Sequence, residues 1–101
     1  MSNTVGLLVT LEAKAGKEDD LKAFLESGAQ LAENEEQTNV WFALRLGPTT
    51  FAIFDGFADD AGRDAHLNGE IAAALMESGP QLLAAQPKIE KVEILAEKVR
   101  G

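Results

Sequence analysis

Short apolar runs separated by polar turns predict four β-strands. Residues 5–12, VGLLVTLE, are rich in strand-forming residues and stop at the glycine turn of AKAGKEDD. Two further runs, NVWFALRL and TFAIFDGF, are joined by Gly47 and Pro48, a turn chemistry that predicts a hairpin. The run KIEKVEIL alternates charged with apolar residues, as a strand with one solvated face does.

Apolar and small residues at helical spacing predict two helical regions between these strands. The first runs from about Lys17 to Glu33 and has three acidic residues in its first turn, where the helix dipole favours negative charge. The second starts after an N-cap at Asp59 or Asp60 and should be broken or kinked near Gly69. The repeating positions are Leu21, Phe24, Leu25, Gly28 and Ala32, and then Ile71, Ala74, Leu75 and Ser78.

The order strand, helix, strand, strand, helix, strand predicts an α+β fold. It is the ferredoxin-like βαββαβ plan, an antiparallel sheet with both helices on one face. Alternate residues of the second strand point to opposite faces of the sheet. One face receives Trp41, Ala43 and Arg45, and the residues that point the other way are all apolar. The uncovered sheet face is therefore apolar as well. A monomer would expose that face to water, and we therefore expect a homodimer in which two sheets pack together as an α+β barrel. We expect all 101 residues to form one domain, with a core from about 5 to 96.

Composition narrows the choice of partners and cofactors. Seventeen acidic residues against nine basic ones leave a formal net charge of −8, which disfavours binding to nucleic acid or to an anionic membrane. Cysteine is absent, so disulfides, thiolate nucleophiles and cysteine-based metal sites are excluded. The amino terminus has no basic leader and its apolar run is too short to span a bilayer, which predicts a cytoplasmic protein.

The only histidine, His66, and the aspartate that ends the third strand, Asp55, are the candidate catalytic residues. A short connection folds the second helix back over that strand, which predicts that the two side chains lie within reach of each other beside an apolar pocket. Gly62, Ala65 and His66 share one helical stripe, so room for a ligand is expected over the two small residues. A buried histidine that only packs is the alternative. The three glutamates of ENEEQT are interpreted as a solvated helix end and loop without chemistry.

Aromatic side chains and one arginine are the candidate substrate-binding residues. Arg45 can anchor an anionic substrate oxygen or pair with an acid at the sheet edge. The aromatic rings can stack on an aromatic ligand or belong to the core and the dimer interface; the candidates are Trp41, Phe51, Phe54 and Phe57. One histidine with scattered carboxylates has no metal-ligand spacing, and no glycine-rich phosphate loop is present, so we expect no metal, flavin or haem.

Three segments, VTLEAKAGKEDDLKAFL, TFAIFDGFADDAGRDAHL and IEKVEIL, resemble the antibiotic biosynthesis monooxygenase family of dimeric α+β barrels. The resemblance covers about residues 5–95. It implies oxidation of a phenolic or quinol-like aromatic by dioxygen without a cofactor, in a pocket between the sheet and the helices. His66 matches the family's Ala-His-Leu histidine, Asp55 matches an acid that is usually glutamate, and Phe57 stands where many relatives have tryptophan.

Departures from the family's other members limit which activity the resemblance implies. Haem-degrading relatives use an asparagine in the first strand and a histidine farther along the second helix, and this chain has neither. Tyrosine is absent, which excludes a mechanism that uses a tyrosine hydroxyl. Two functions remain open: a cofactor-independent monooxygenase, or a non-catalytic dimeric module that binds a small apolar molecule.

Overall fold

The computed structural model describes residues 2–100 and contains four strands and three helices. All four predicted strands are confirmed, and the first helix begins one residue later than expected. The second helical region is divided in two at Asn68 and Gly69, which confirms the predicted break. The elements are β1 (Val5–Glu12), α1 (Glu18–Glu33), β2 (Val40–Arg45), β3 (Thr50–Phe57), α2 (Asp60–Leu67), α3 (Glu70–Leu82) and β4 (Lys88–Glu93).

The strands form one antiparallel sheet in the order β2-β3-β1-β4, which confirms the predicted ferredoxin-like plan. The central strands β1 and β3 are paired along their whole length, from Val5 opposite Phe57 to Glu12 opposite Thr50. In this register Asp55 lies between Leu7 on β1 and Trp41 on β2. The candidate aspartate therefore stands in the interior of the sheet rather than at an edge.

Local side-chain chemistry defines where α2 and α3 begin. The Asp59 carboxylate accepts a hydrogen bond of 2.9 Å from the backbone N–H of Gly62, so Asp59 rather than Asp60 is the N-cap of α2. At the start of α3, a Cβ on Gly69 would lie 2.6 Å from Glu35 Oε2. A glycine at this junction lets the loop after α1 approach the α2–α3 corner closely.

One face of the sheet is covered by the helices and carries the apolar core. Residues of β1 and β3 that point to this face pack against α1 and the end of α3 and are almost completely buried. Long aliphatic and aromatic side chains bury the most apolar surface and therefore contribute most to the stability of the core. The core residues are Val9, Leu11, Ala13, Leu21, Leu25, Phe51, Ile53 and Leu83.

No helix within the described residues covers the opposite face of the sheet, which remains apolar. Phe42 and Leu44 on β2 are 52% and 42% exposed, while Trp41 points to the covered face and packs against the core. The predicted alternation along β2 is therefore confirmed. None of the helices within residues 2–100 combines the length and apolar character needed to cross a membrane.

Candidate functional site

Asp55 is a buried charged residue on the covered face of the sheet. Its side chain is 1% exposed, and on β3 it follows Phe51 and Ile53, which point to the same face and belong to the core. Burying a carboxylate costs free energy unless a partner of opposite charge or a hydrogen-bond donor faces it. Asp55 therefore requires a partner from the helix layer.

His66 on α2 supplies that partner. The imidazole Nε2 lies 2.9 Å from Asp55 Oδ2, and His66 is 7% exposed. The two atoms are close enough for an ion pair. The expected proximity of His66 and Asp55 is thus observed, and their catalytic role stays a prediction.

A second carboxylate, that of Glu35, binds the other side of the same imidazole. Glu35 Oε1 lies 2.6 Å from His66 Nδ1, and it also accepts a 2.8 Å hydrogen bond from the hydroxyl of Thr38. The interpretation of ENEEQT as a solvated helix end and loop was wrong for Glu35, whose side chain is only 16% exposed. The one signal in the sequence was a threonine three residues after a glutamate, which lets the hydroxyl hold the carboxylate in a turn.

The two carboxylates favour the protonated form of His66. Burial lowers the pKa of His66, but the hydrogen-bonding and charge interactions with Asp55 and Glu35 together outweigh it and raise that pKa above the ordinary value. Only the imidazolium has an N–H on both nitrogens to donate to both carboxylates. The protonated cluster of Glu35, His66 and Asp55 has a net charge of −1.

Both ring nitrogens of His66 are occupied by residues of its own chain, whereas the carboxylates have open oxygens. Among the described residues, Asp55 Oδ1 and Glu35 Oε2 are buried and have no hydrogen-bond partner. A hydroxyl that reaches Asp55 Oδ1 can therefore donate to it without breaking a hydrogen bond of that oxygen, while reaching a nitrogen of His66 requires displacing a carboxylate. This arrangement makes Asp55 the better candidate for direct contact with a substrate.

The space around His66 is more completely filled than the sequence predicted. The Phe57 ring packs against the imidazole with 5.3 Å between centroids. A Cβ on Gly62 would lie 3.4 Å from the carbonyl oxygen of Gln37, and Ala65 is exposed instead of facing the sheet. The expected room for a ligand over Gly62 and Ala65 is therefore not observed, because the loop after α1 covers the first and the turn of α2 directs the second outward.

A cavity lies farther along the covered face, between α1, α3 and the sheet. Its walls are apolar side chains of both helices together with Trp41 and Ile53, and the space open to the centre of a water molecule is about 20 Å³. A more open groove of about 160 Å³ on the same measure runs past Arg45 and Phe51. Neither His66 nor Asp55 lines either of these two spaces.

The remaining predicted site residues are distributed over the molecule. Phe51 belongs to the core and Phe57 packs on His66, but Phe54 points to the opposite face of the sheet. The Arg45 guanidinium donates to the carbonyl oxygens of Gly47 and Pro48 and lies 5.0 Å above the Phe51 ring. Arg45 thus stabilises the hairpin turn, and the acid partner considered for it is not among these contacts.

Within residues 2–100, no group of three or more acidic, histidine or cysteine side chains is arranged to hold a metal ion. Glu35 and Asp55 contact opposite nitrogens of one imidazole, so the ring stands between them.

Comparison with solved structures assigns the chain to a family. A protein of unknown function from Nitrosomonas europaea is 55% identical to this chain, and its crystal structure matches with a TM-score of 0.95 over 98% of this chain and 96% of the other. The chain belongs to the family of that protein. No protein-family model and no curated protein matches the chain.

More distant members of the same fold have names that suggest an activity. A "Putative antibiotic biosynthesis monooxygenase" from Nitrosomonas europaea matches with a TM-score of 0.81 and 15% identity, over 91% of this chain and 99% of the other. A structure of the same description from Caulobacter crescentus matches with a TM-score of 0.75 and 22% identity, over 93% and 92%. These matches confirm at the level of the fold the resemblance seen in the sequence.

Proposed function

We propose that the protein is a monooxygenase that oxidises a small phenolic or quinol-like aromatic with dioxygen, without a cofactor. The observation that carries the proposal is a buried carboxylate, Asp55, with one oxygen open and the other paired to a histidine that a second carboxylate holds. Buried clusters of this kind are costly to stability and concentrate at functional sites. The shared fold with the structures named as monooxygenases supports the reaction class.

In the proposed reaction the substrate hydroxyl donates its proton at Asp55 Oδ1, and the Asp55–His66 pair holds it. The resulting phenolate transfers one electron to dioxygen, and the phenoxyl radical and superoxide combine at a ring carbon. Loss of water then leaves a quinone: one oxygen atom enters the ring, the other leaves as water, and the aromatic ring supplies all the electrons. His66 and Glu35 are positioning residues in this scheme, because neither touches the substrate.

The pH dependence of the proposed reaction follows from the raised pKa of His66. Below that pKa the cluster already holds its proton and is a poor acceptor. Above it, neutral His66 keeps one N–H, which the short contact with Glu35 favours at Nδ1, and the buried Asp55 carboxylate lacks a donor. We expect turnover to rise with pH through the raised pKa of His66.

The homodimer is also a proposal, and it rests on the open sheet face. Phe42 and Leu44 are half exposed there, next to half-buried side chains of β1, β3 and β4 that continue the apolar surface. Sedimentation should give a mass near twice 10.8 kDa. Phe42→Arg should shift it to one chain, whereas Lys22→Arg on exposed α1 should leave it unchanged; a monomeric wild-type chain at micromolar concentration would reject the dimer.

As a second candidate, the protein is a non-catalytic module that binds a small apolar molecule, or only a second copy of itself. The observation that favours it is the close packing at the cluster: Asp55 is 1% exposed and His66 7% exposed, so a substrate must displace neighbouring side chains to reach Oδ1. In this case the cluster only holds the loop after α1 against α2.

Dioxygen consumption by the purified protein over a panel of phenols and dihydroxyaromatics separates the two candidates. Monooxygenation predicts uptake with at least one compound and, on the order of general-base contributions, a loss of about 10²-fold or more in Asp55→Asn. His66→Gln should lower turnover and remove the pH step. Asp64→Asn, an exposed neighbour on α2, is the matched control and should behave as wild type. Uptake that is unchanged in Asp55→Asn contradicts the assigned role, and no uptake on the whole panel favours the binding module.

A further inference from the structure

The cavity between α1, α3 and the sheet is separate from the proton-handling cluster and is not used in the mechanism above. Its space of about 20 Å³ for the centre of a water molecule corresponds to one or two water-sized molecules. An aromatic ring does not fit into that volume, whereas a diatomic gas molecule does.

The chemistry of the cavity wall disfavours water as the occupant. Of the residues that line it, only Ser27 and Trp41 have polar side-chain atoms. The Ser27 hydroxyl is exposed and already donates to the carbonyl oxygen of Phe24. A buried water typically makes about three hydrogen bonds, and apolar cavities without such partners stay dry and bind apolar gases.

One residue of the wall has a polar group without a hydrogen-bond partner. The indole Nε1 of Trp41 is buried and makes no hydrogen bond to any described residue. The Cζ2 edge of the ring, two bonds from Nε1, is held against α1, where a Cβ on Gly28 would lie 3.1 Å from Cζ2. A buried N–H donor without an acceptor costs about 1–3 kcal/mol, which a bound acceptor would recover.

The same tryptophan is the neighbour of the proposed proton acceptor. Trp41 is the direct cross-strand partner of Asp55, and both side chains point to the covered face of the sheet. Side chains paired in this way have Cβ atoms about 4.5–5.5 Å apart. Trp41, a residue with one free donor, therefore belongs both to the cavity wall and to the strand pair that carries the carboxylate at which the aromatic substrate would be deprotonated.

We propose that this cavity binds dioxygen and that Trp41 Nε1–H donates a hydrogen bond to superoxide as it forms. The proposal rests on the monooxygenase function proposed above. The phenolate gives one electron to dioxygen, which becomes superoxide, and Trp41 keeps its proton throughout. Neutral dioxygen is a poor hydrogen-bond acceptor and superoxide a good one, so the donor stabilises the state in which charge has moved.

Gas binding can be measured without any turnover, because the chain has a single tryptophan and therefore a single indole N–H resonance. Under xenon pressure we expect a saturable shift of that resonance, and under dioxygen a relaxation enhancement larger than that of exposed amides. Ala74→Leu, which fills the cavity, should abolish both responses. Ala73→Leu, on the exposed side of the same helix, should keep them.

A second variant keeps the test decisive should Ala74→Leu fail to fold. Ile53→Val enlarges the cavity by one methylene and should strengthen the xenon response. A wild-type indole signal that responds to neither gas, or that shows magnetisation transfer from a resident water, overturns the proposal.

Kinetics on a substrate found in the uptake panel test the chemical part. Ala74→Leu should raise the KM for dioxygen severalfold and leave the KM for the aromatic unchanged. Trp41→Phe should keep the xenon response, reported by the Ala74 methyl resonance, and lower kcat by up to about 10²-fold, the scale for loss of one oxyanion donor. If the gases bind but no compound of the panel causes dioxygen uptake, the result counts against the monooxygenase function only. If the protein turns over a substrate and Ala74→Leu leaves the KM for dioxygen unchanged, the result rejects the gas site only.

Discussion

The two ends of the covered sheet face differ in what they bury. At one end Phe51, Leu11 and Leu25 belong to the apolar core and are almost completely buried. At the other end, four residues farther along β3, Asp55 points to the same face and meets His66 and Glu35. One strand thus passes from an apolar core into a buried charged cluster without leaving the sheet interior.

The two ends are expected to contribute differently to the free energy of unfolding. Complete burial of one large apolar side chain contributes about 1.5–3 kcal/mol. A buried ion pair recovers little more than the cost of removing its charges from water, and loss of one member leaves the other uncompensated. We therefore expect the apolar end to stabilise the fold and the polar end to be retained for its proton chemistry.

The largest effect on stability is expected at the apolar end. Phe51→Ala removes a ring that is 2% exposed and should lower the free energy of unfolding by about 3–5 kcal/mol through lost burial and a new cavity. Urea denaturation followed by circular dichroism measures this. The pKa of His66 in the folded fraction should be unchanged, and a shifted pKa would mean that the two ends are coupled.

Removal of the imidazole should destabilise the polar end by a similar or smaller amount. His66→Ala leaves two carboxylates buried without their shared partner, and about 3 kcal/mol of destabilisation is expected. The triple change Glu35→Met, His66→Leu and Asp55→Leu removes every charge of the cluster and should recover most of that loss while abolishing turnover. A triple variant no more stable than His66→Ala would show that the cluster itself stabilises the fold.

The polar end should also make stability depend on pH near neutrality. The pKa of His66 is raised in the folded chain, so its contribution is fully present below the unfolded value of about 6.5. It decreases as the pH rises from there and is lost once the pH passes the folded pKa. Unfolding measured from pH 5 to 9 should show this decline in the wild type and a flatter profile in His66→Gln. An equal decline in both would assign it to other groups.

The smallest effect is expected at the corner between α2 and α3. Gly69→Ala places a Cβ 2.6 Å from the present position of Glu35 Oε2, so the carboxylate must shift, and we expect its contact with the imidazole to weaken. We expect a loss of about 1 kcal/mol or less, the usual range for a change that a flexible side chain can accommodate. The pKa of His66, measured by NMR titration, should fall below the wild-type value because one stabilising carboxylate is withdrawn. An unchanged pKa would mean that Thr38 keeps Glu35 in place.

The sequence by itself was sufficient for the element order, the antiparallel plan and the faces of β2 and β3. Alternation of period two along β2 separated Trp41 from Phe42, and the glycine at 69 marked the helix break. The same local reasoning brought His66 near Asp55, because a short connection from β3 into a capped helix leaves few directions for the first turns. These features depend on neighbours in the chain, whose geometry the backbone largely prescribes.

Only the tertiary structure decided which groups complete the site. Glu35 lies 31 positions before His66, and its place against Nδ1 depends on how the loop after α1 packs over Gly69 and Gly62. Likewise, Ala65 turned outward and the cavity formed at Trp41 rather than at His66, because the packing of α3 and α1 on the sheet determines where space remains. Contacts between distant segments depend on the shapes and charges of whole surfaces. The periodicity of one segment predicts which of its faces is buried but does not predict which other segment will cover that face.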